Sequence, residues 1–257
     1  MPLQFKHHPG LVAYVTCGDP DLATTQEVVL AAAKAGADVI ELGVPFSDPV
    51  ADGPIIQRAS ERAVAKGISL PQVLELAAEV RKHTDAGLII FSYLNPILRM
   101  GLQNFCASAK RAGVDGALVT DLPIEETRDY IRSMRDCDLA TVFLAAPTST
   151  DERLKHIANA STGFVYAVSR TGVTGTRDQV ASDASALVKR LRRYTKLPIA
   201  VGFGVSNRSQ FEEVGEFADA VVIGSAIVQA VEQNPGSEAR AVSSFISGLR
   251  TRAGVVG

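Results

Sequence analysis

The sequence predicts a single (β/α)₈ barrel, an α/β architecture of parallel strands ringed by helices. Three observations carry this. The chain has 257 residues, a length that suits one such barrel. Eight short runs rich in Val, Ile, Leu or Phe show little alternation, as strands buried on both faces do. Longer amphipathic stretches separate them, the pattern of β-α units in a parallel sheet. No low-complexity linker divides the chain, so residues 1–257 read as one domain. A two-domain doubly wound sheet is the alternative, but there is no boundary and no Gly-x-Gly-x-x-Gly after the first strand.

Met1–Gly10 contains Lys6, His7, His8 and Pro9 and no apolar core, which argues against a secretory signal. The first strand is expected over Leu11–Thr16 and a helical stretch over Thr24–Ala35. The second strand is Asp38–Leu42. Two helical stretches follow it, the later one Leu70–His83, after an insertion that contains Ser47–Pro54. Strands at Gly87–Ser92, Gly116–Thr120, Ala140–Ala145 and Gly163–Val168 come next, with a helical stretch at Glu125–Arg135. A second insertion, Arg170–Arg177, precedes a helix at Ser182–Tyr194. The last strands are Pro198–Gly202 and Asp219–Ile223. Ser225–Val228 then opens a short extra helix before the final one.

A weak repeat supports the count. Ala35-Gly36-Ala37-Asp38 resembles Ala112-Gly113-Val114-Asp115, and Phe217-Ala218-Asp219 is a looser copy. It reads as a helix ending at a left-handed Gly, then an Asp in the turn before a strand. In a TIM barrel both insertions sit at the C-terminal mouth, where barrel enzymes place their chemistry.

Net charge is −2, which gives no basic excess for nucleic acid or an anionic membrane. No apolar run reaches membrane-spanning length. Cys17, Cys106 and Cys137 are scattered and odd in number, which fits neither a disulfide framework nor a zinc site. A cytoplasmic setting is expected. The paired His7 and His8 lack a third ligand nearby, so no metal site is read.

Glu41 lies near the end of the second strand. Apolar walls would raise its pKa and suit it to proton transfer near neutral pH. The competing reading is a structural carboxylate paired with Arg or Lys. Asp52, in Asp-Gly-Pro, reads by itself as a helix cap, with Pro54 opening the helix. Asp48 reads as a turn residue. Arg170–Arg177 is either a mobile lid or a plain surface loop. Gly202-Phe203-Gly204 and Gly224-Ser225 follow the seventh and eighth strands, where barrels often bind phosphate on backbone N–H groups. The other reading makes Ser225 only a cap and the glycines only tight turns. Tyr14, Phe91, Tyr166 and Phe203 fall near strand ends and together could wall a flat aromatic pocket, although each alone reads as core.

The block Glu41-Leu42-Gly43-Val44-Pro45-Phe46-Ser47-Asp48-Pro49-Val50-Ala51-Asp52-Gly53-Pro54 resembles the signature of the tryptophan synthase α subunit. The resemblance continues through Tyr14–Pro20, Asp121-Leu122-Pro123, Ser169–Gly175 and Gly224–Val228, spanning nearly the whole chain in family order. It implies a carbon–carbon lyase that splits indole-3-glycerol phosphate into indole and glyceraldehyde 3-phosphate by a retro-aldol step. It assigns Glu41 as the acid and base, and Asp52 as the group that holds the indole N–H. By the same resemblance Thr174 orients Asp52, and Tyr166 packs beside Glu41. Gly175, Gly202, Gly204, Gly224 and Ser225 surround the phosphate. Tyr14, Phe91, Leu118, Leu144 and Phe203 wall the indole. Asn95 and Pro96 match a region facing a pyridoxal-phosphate-dependent β subunit, which takes the indole in an α₂β₂ assembly. The α chain itself needs no cofactor.

Two positions depart from the family pattern. Pro2–Pro9 stands where many members have a fuller helix, which leaves the cover of the barrel's bottom open. Tyr14 stands where a Phe often does and adds a hydroxyl near the pocket.

Overall fold

The computed structural model describes residues 3–168, 177–202 and 204–250, with side chains of 177–180 excepted. Eight parallel strands close in sequence order into one barrel. They are β1 (Gly10–Thr16), β2 (Val39–Gly43), β3 (Gly87–Ser92), β4 (Gly116–Val119), β5 (Ala140–Ala145), β6 (Val165–Val168), β7 (Ile199–Gly202) and β8 (Ala220–Ile223). The expected strands are all present: β3 and β5 have the expected bounds, and the others differ by one or two residues at one or both ends.

The helices are α1 (Leu22–Lys34), α2 (Pro54–Ala65), α3 (Leu70–Arg81), α4 (Leu94–Met100), α5 (Leu102–Arg111), α6 (Arg128–Asp136), α7 (Asp151–Ala160), α8 (Arg177–Leu191), α9 (Arg208–Gly215), α10 (Ser225–Gln233) and α11 (Glu238–Arg250). Two helices follow β2, as the sequence indicates, and two also follow β3, which it did not. The stretch Glu125–Arg135 is split into a 3₁₀ turn, Ile124–Glu126, and α6. The short extra helix before the last is α10.

Alternation along each strand separates two cores. Leu11, Ala13, Val15, Ile40, Leu42, Leu88 and Ile90 face the helices. Val12, Val39, Ile89, Leu118, Val142, Ala200 and Val222 fill the barrel. Both faces are apolar, and that is why the strand sequences show no polar alternation. The segment before β1 covers the bottom. Leu3 joins the interior core with Phe164, and the Phe5 ring meets Phe164 edge-on at 6.0 Å.

The Asp repeat proves to be a clamp at the start of strands. The backbone N–H of Leu11 donates to Asp38 Oδ2 (2.8 Å) and that of Leu88 to Asp115 Oδ2 (2.7 Å). The N–H of Ile199 donates to Asp219 Oδ2 (2.6 Å). A fourth copy uses a hydroxyl: the Thr141 N–H donates to Thr162 Oγ1 (2.9 Å). Each clamp ties an even-numbered strand to the odd-numbered strand before it. The three carboxylates also meet Arg250, Arg81 and Arg192 respectively.

Candidate active site

Strand alternation places Tyr14, Glu41, Phe91, Leu118, Leu144 and Tyr166 inward, with Tyr14 directly opposite Glu41 in the β1–β2 register. Glu41 is 1% exposed, and among the described residues neither carboxyl oxygen has a hydrogen-bond partner. The structural-carboxylate reading required an Arg or Lys, and none among the described residues bonds it. Burial pushes its pKa from the ordinary range up to about 8. At neutral pH it is therefore chiefly a neutral acid, able to give a proton.

Asp52 is not a cap. Gly53 takes the N-cap position of α2, without a side-chain bond, and Pro54 is the first helical residue. The Asp52 carboxylate instead accepts a hydrogen bond from the Tyr93 hydroxyl (3.0 Å), and the same oxygen of Tyr93 accepts the Ala51 N–H (2.9 Å). The Asp52 carbonyl accepts from the Gln57 amide (2.9 Å). Burial raises the Asp52 pKa, and the Tyr93 bond opposes that rise. Tyr93 lies at the end of β3 with its ring stacked on Phe46, centroids 5.1 Å apart. The sequence did not single out Tyr93. The available signal was an aromatic hydroxyl at a strand's C-terminal end. Asp48 is exposed and bonds Ser47 Oγ (2.6 Å), as a turn residue does.

Two glycines make room for the two tyrosines. A Cβ on Gly43 would lie 2.4 Å from the Tyr14 hydroxyl, and one on Gly202 would lie 2.6 Å from the Tyr166 hydroxyl. Tyr14 and Tyr166 have pKa values well above the ordinary phenol, chiefly from burial, with Glu41 and Asp52 adding to it. Phe91 meets Tyr14 edge-on at 5.0 Å, and Leu118 is fully buried in the interior core. Leu144 is half-buried against that core.

Gly224 is the N-cap of α10 and Ser225 its first residue, so Ser225 is not the cap. Gly224 offers no side-chain cap bond, and the Ile227 and Val228 N–H groups both donate to the Gly224 carbonyl (2.9 and 3.0 Å), which closes the first turn of α10 on itself. Gly204 has φ +70, a left-handed turn conformation that suits glycine. Asn95 is exposed on α4, whose start is held by Asp121 accepting the Leu94 N–H (2.7 Å). Thr174, Gly175, Phe203 and most of the Arg170–Arg177 segment lie outside the described residues. Among the described residues no group of three His, Cys, Asp or Glu could hold a metal ion, and no helix is long and apolar enough to cross a membrane. A cavity of about 760 Å³ at the opposite end, between α1 and α3, contains none of the predicted site residues.

Comparison with known proteins agrees with the closed barrel. The family model described as "Tryptophan synthase alpha chain" matches residues 2–253. The tryptophan synthase alpha chain of Solibacter usitatus is 49% identical over 92% of this chain and 89% of its own length. That of Neisseria meningitidis is 45% identical over 94% and 93%. A solved chain from the tryptophan synthase α₂β₂ complex of Pyrococcus furiosus superposes with a TM-score of 0.89 at 40% identity, covering 96% of this chain and 99% of that one. A tryptophan synthase structure from M. tuberculosis gives 0.87 at 34%, covering 94% and 91%. With the family model matching residues 2–253 and relatives 45–49% identical over most of the chain, this closed barrel belongs to the tryptophan synthase alpha chain family.

Proposed function

We propose that this chain is the lyase subunit of a tryptophan synthase and cleaves indole-3-glycerol phosphate into indole and glyceraldehyde 3-phosphate. The observation that carries the reading is Glu41, a buried carboxyl held protonated near neutral pH among aromatic walls. Protonated Glu41 gives its proton to indole C3, which breaks the ring's aromaticity and leaves positive charge on the ring nitrogen. The resulting carboxylate takes the proton of the side-chain hydroxyl next to C3. The carbon–carbon bond then breaks, its electron pair re-forms the indole, and the hydroxyl carbon becomes the aldehyde. Glu41 ends as it began.

Asp52 accepts the ring N–H and offsets the transient positive charge. Tyr93 fixes the direction of Asp52. Tyr14, Phe91, Leu118, Leu144 and Tyr166 wall the indole, and the resemblance adds Phe203. Gly202, Gly204, Gly224 and Ser225 receive the phosphate together with Gly175, and Thr174 orients Asp52. The reaction needs no cofactor on this chain. The partner is a pyridoxal-phosphate-dependent β subunit in an α₂β₂ assembly, as in the Pyrococcus furiosus complex.

Glu41→Gln tests the chemistry. Indole release should fall at least a hundredfold while glycerol phosphate still binds, as read by product assay and calorimetry. Substantial residual turnover would overturn the assignment. For the partner, gel filtration with the β chain at micromolar concentration should give a co-eluting complex with raised lyase turnover. Separate elution and unchanged turnover would favour a free-standing lyase.

A further inference from the structure

The helix that follows Asp52 and the helix that begins at Ser225 lie side by side and run in the same direction. At their starts, Ile56 of α2 lies 3.5 Å from the Cβ position of Gly224. In their middles, Ala59 and Val228 share one apolar cluster with Tyr14. At their ends, Arg62 Nη1 donates to Glu232 Oε1 (2.8 Å), and Arg58 Nη2 donates to Glu232 Oε2 (3.1 Å). Arg62 also grips the loop after β1: its Nε and Nη2 each donate at 2.7 Å to the two oxygens of Asp19, a buried carboxylate. One guanidinium therefore joins α2, α10 and the β1–α1 loop. The two arginines hold the Glu232 carboxyl below its usual range.

We propose that Arg62 is a positioning residue that makes α2 and α10 one rigid unit, so that a phosphate at the start of α10 helps set Asp52 at the start of α2. A ligand that draws in the N-terminus of one helix must move or hold the other, because apolar contacts join them along their length and a two-arginine lock closes their far ends. The sharing is reciprocal: whatever phosphate does for indole binding, indole must do for phosphate binding. The inference rests on the proposed phosphate and indole positions.

The test measures indole affinity with and without saturating glycerol phosphate, by calorimetry on the whole chain. In the wild type, glycerol phosphate should tighten indole about fivefold or more. Glu232→Ala frees α10 but keeps the Arg62–Asp19 pair, so it folds more safely than Arg62→Met. It should bring the ratio close to one, while the affinity for glycerol phosphate alone changes less than about twofold. Glu232→Asp should restore part of the ratio. A full ratio in Glu232→Ala, or no coupling in the wild type, would overturn the inference. If glycerol phosphate fails to bind the wild type, or binds Ser225→Glu equally well, the phosphate reading itself falls.

Discussion

At the scale of single residues, burial makes Glu41 hold its proton. Its pKa of about 8 lies above the ordinary value of 4.5, so from about pH 4.5 to 8 the unfolded chain gives up a proton that the fold retains. Stability therefore falls as pH rises through that window and levels off above it. The total is on the order of several kcal/mol. Glu41→Gln never ionises, so it should gain on the wild type between pH 5 and pH 9 in urea unfolding. An equal midpoint difference at both pH values would show that burial does not hold the proton. Wild-type lyase turnover should also decline above about pH 8. Glu41 was legible as a candidate because a carboxylate is rare in an apolar strand. That no described residue bonds it was not legible, since that depends on side chains from neighbouring strands. Read by itself Asp52 looked like a cap, because Asp-Gly-Pro fits that pattern locally and its side-chain partner, Tyr93, is 41 residues away; only the family resemblance gave it another role.

At the scale of elements, each strand could be found from its apolar run, but its neighbours' shapes could not. Gly43 and Gly202 look like turn glycines. In the barrel each occupies the strand next to an inward tyrosine and lies two residues beyond that tyrosine's register partner, Glu41 for Tyr14 and Ala200 for Tyr166. The missing side chain is where the ring goes. Gly43→Ala should cost about 1–3 kcal/mol through overpacking against Tyr14. In a Tyr14→Leu background the same change should cost clearly less, because the crowding ring is gone. Equal costs in the two backgrounds, measured by denaturant unfolding, would mean that Gly43 answers to backbone conformation instead. The extra helix directly after β3, α4, escaped notice because it is short and carries Pro96 inside it.

At the scale of the whole molecule, closure depends on the four clamps at the barrel's bottom. The repeat was visible in three places as a glycine-ended helix followed by Asp, or a looser copy. The fourth, Thr162, shares the geometry without the residue type, so no sequence pattern could include it. The clamps differ in depth. Asp38 is fully buried and takes bonds from Lys6 N, Leu11 N, His7 and Arg250, joining both ends of the described chain. Asp38→Ala should cost about 3–5 kcal/mol, because it strands a half-buried guanidinium and orphans two backbone donors. Asp115 has a side chain 42% exposed, so Asp115→Ala should cost nearer 1 kcal/mol. Equal losses in urea titrations would show that burial does not set the difference.

The pairing has a bearing on how the mouth can vary. Clamps join β1 to β2, β3 to β4, β5 to β6 and β7 to β8, and among the described residues none joins β2 to β3 or β6 to β7. The two long insertions, the one carrying Asp52 and the one near residue 174, follow β2 and β6 and so fall in the unclamped gaps. Chain added or removed there changes no strand-pair anchor. The barrel is in effect four two-stranded modules, and lengthening or circular permutation is least disruptive at the joints where the two long insertions already follow their strands.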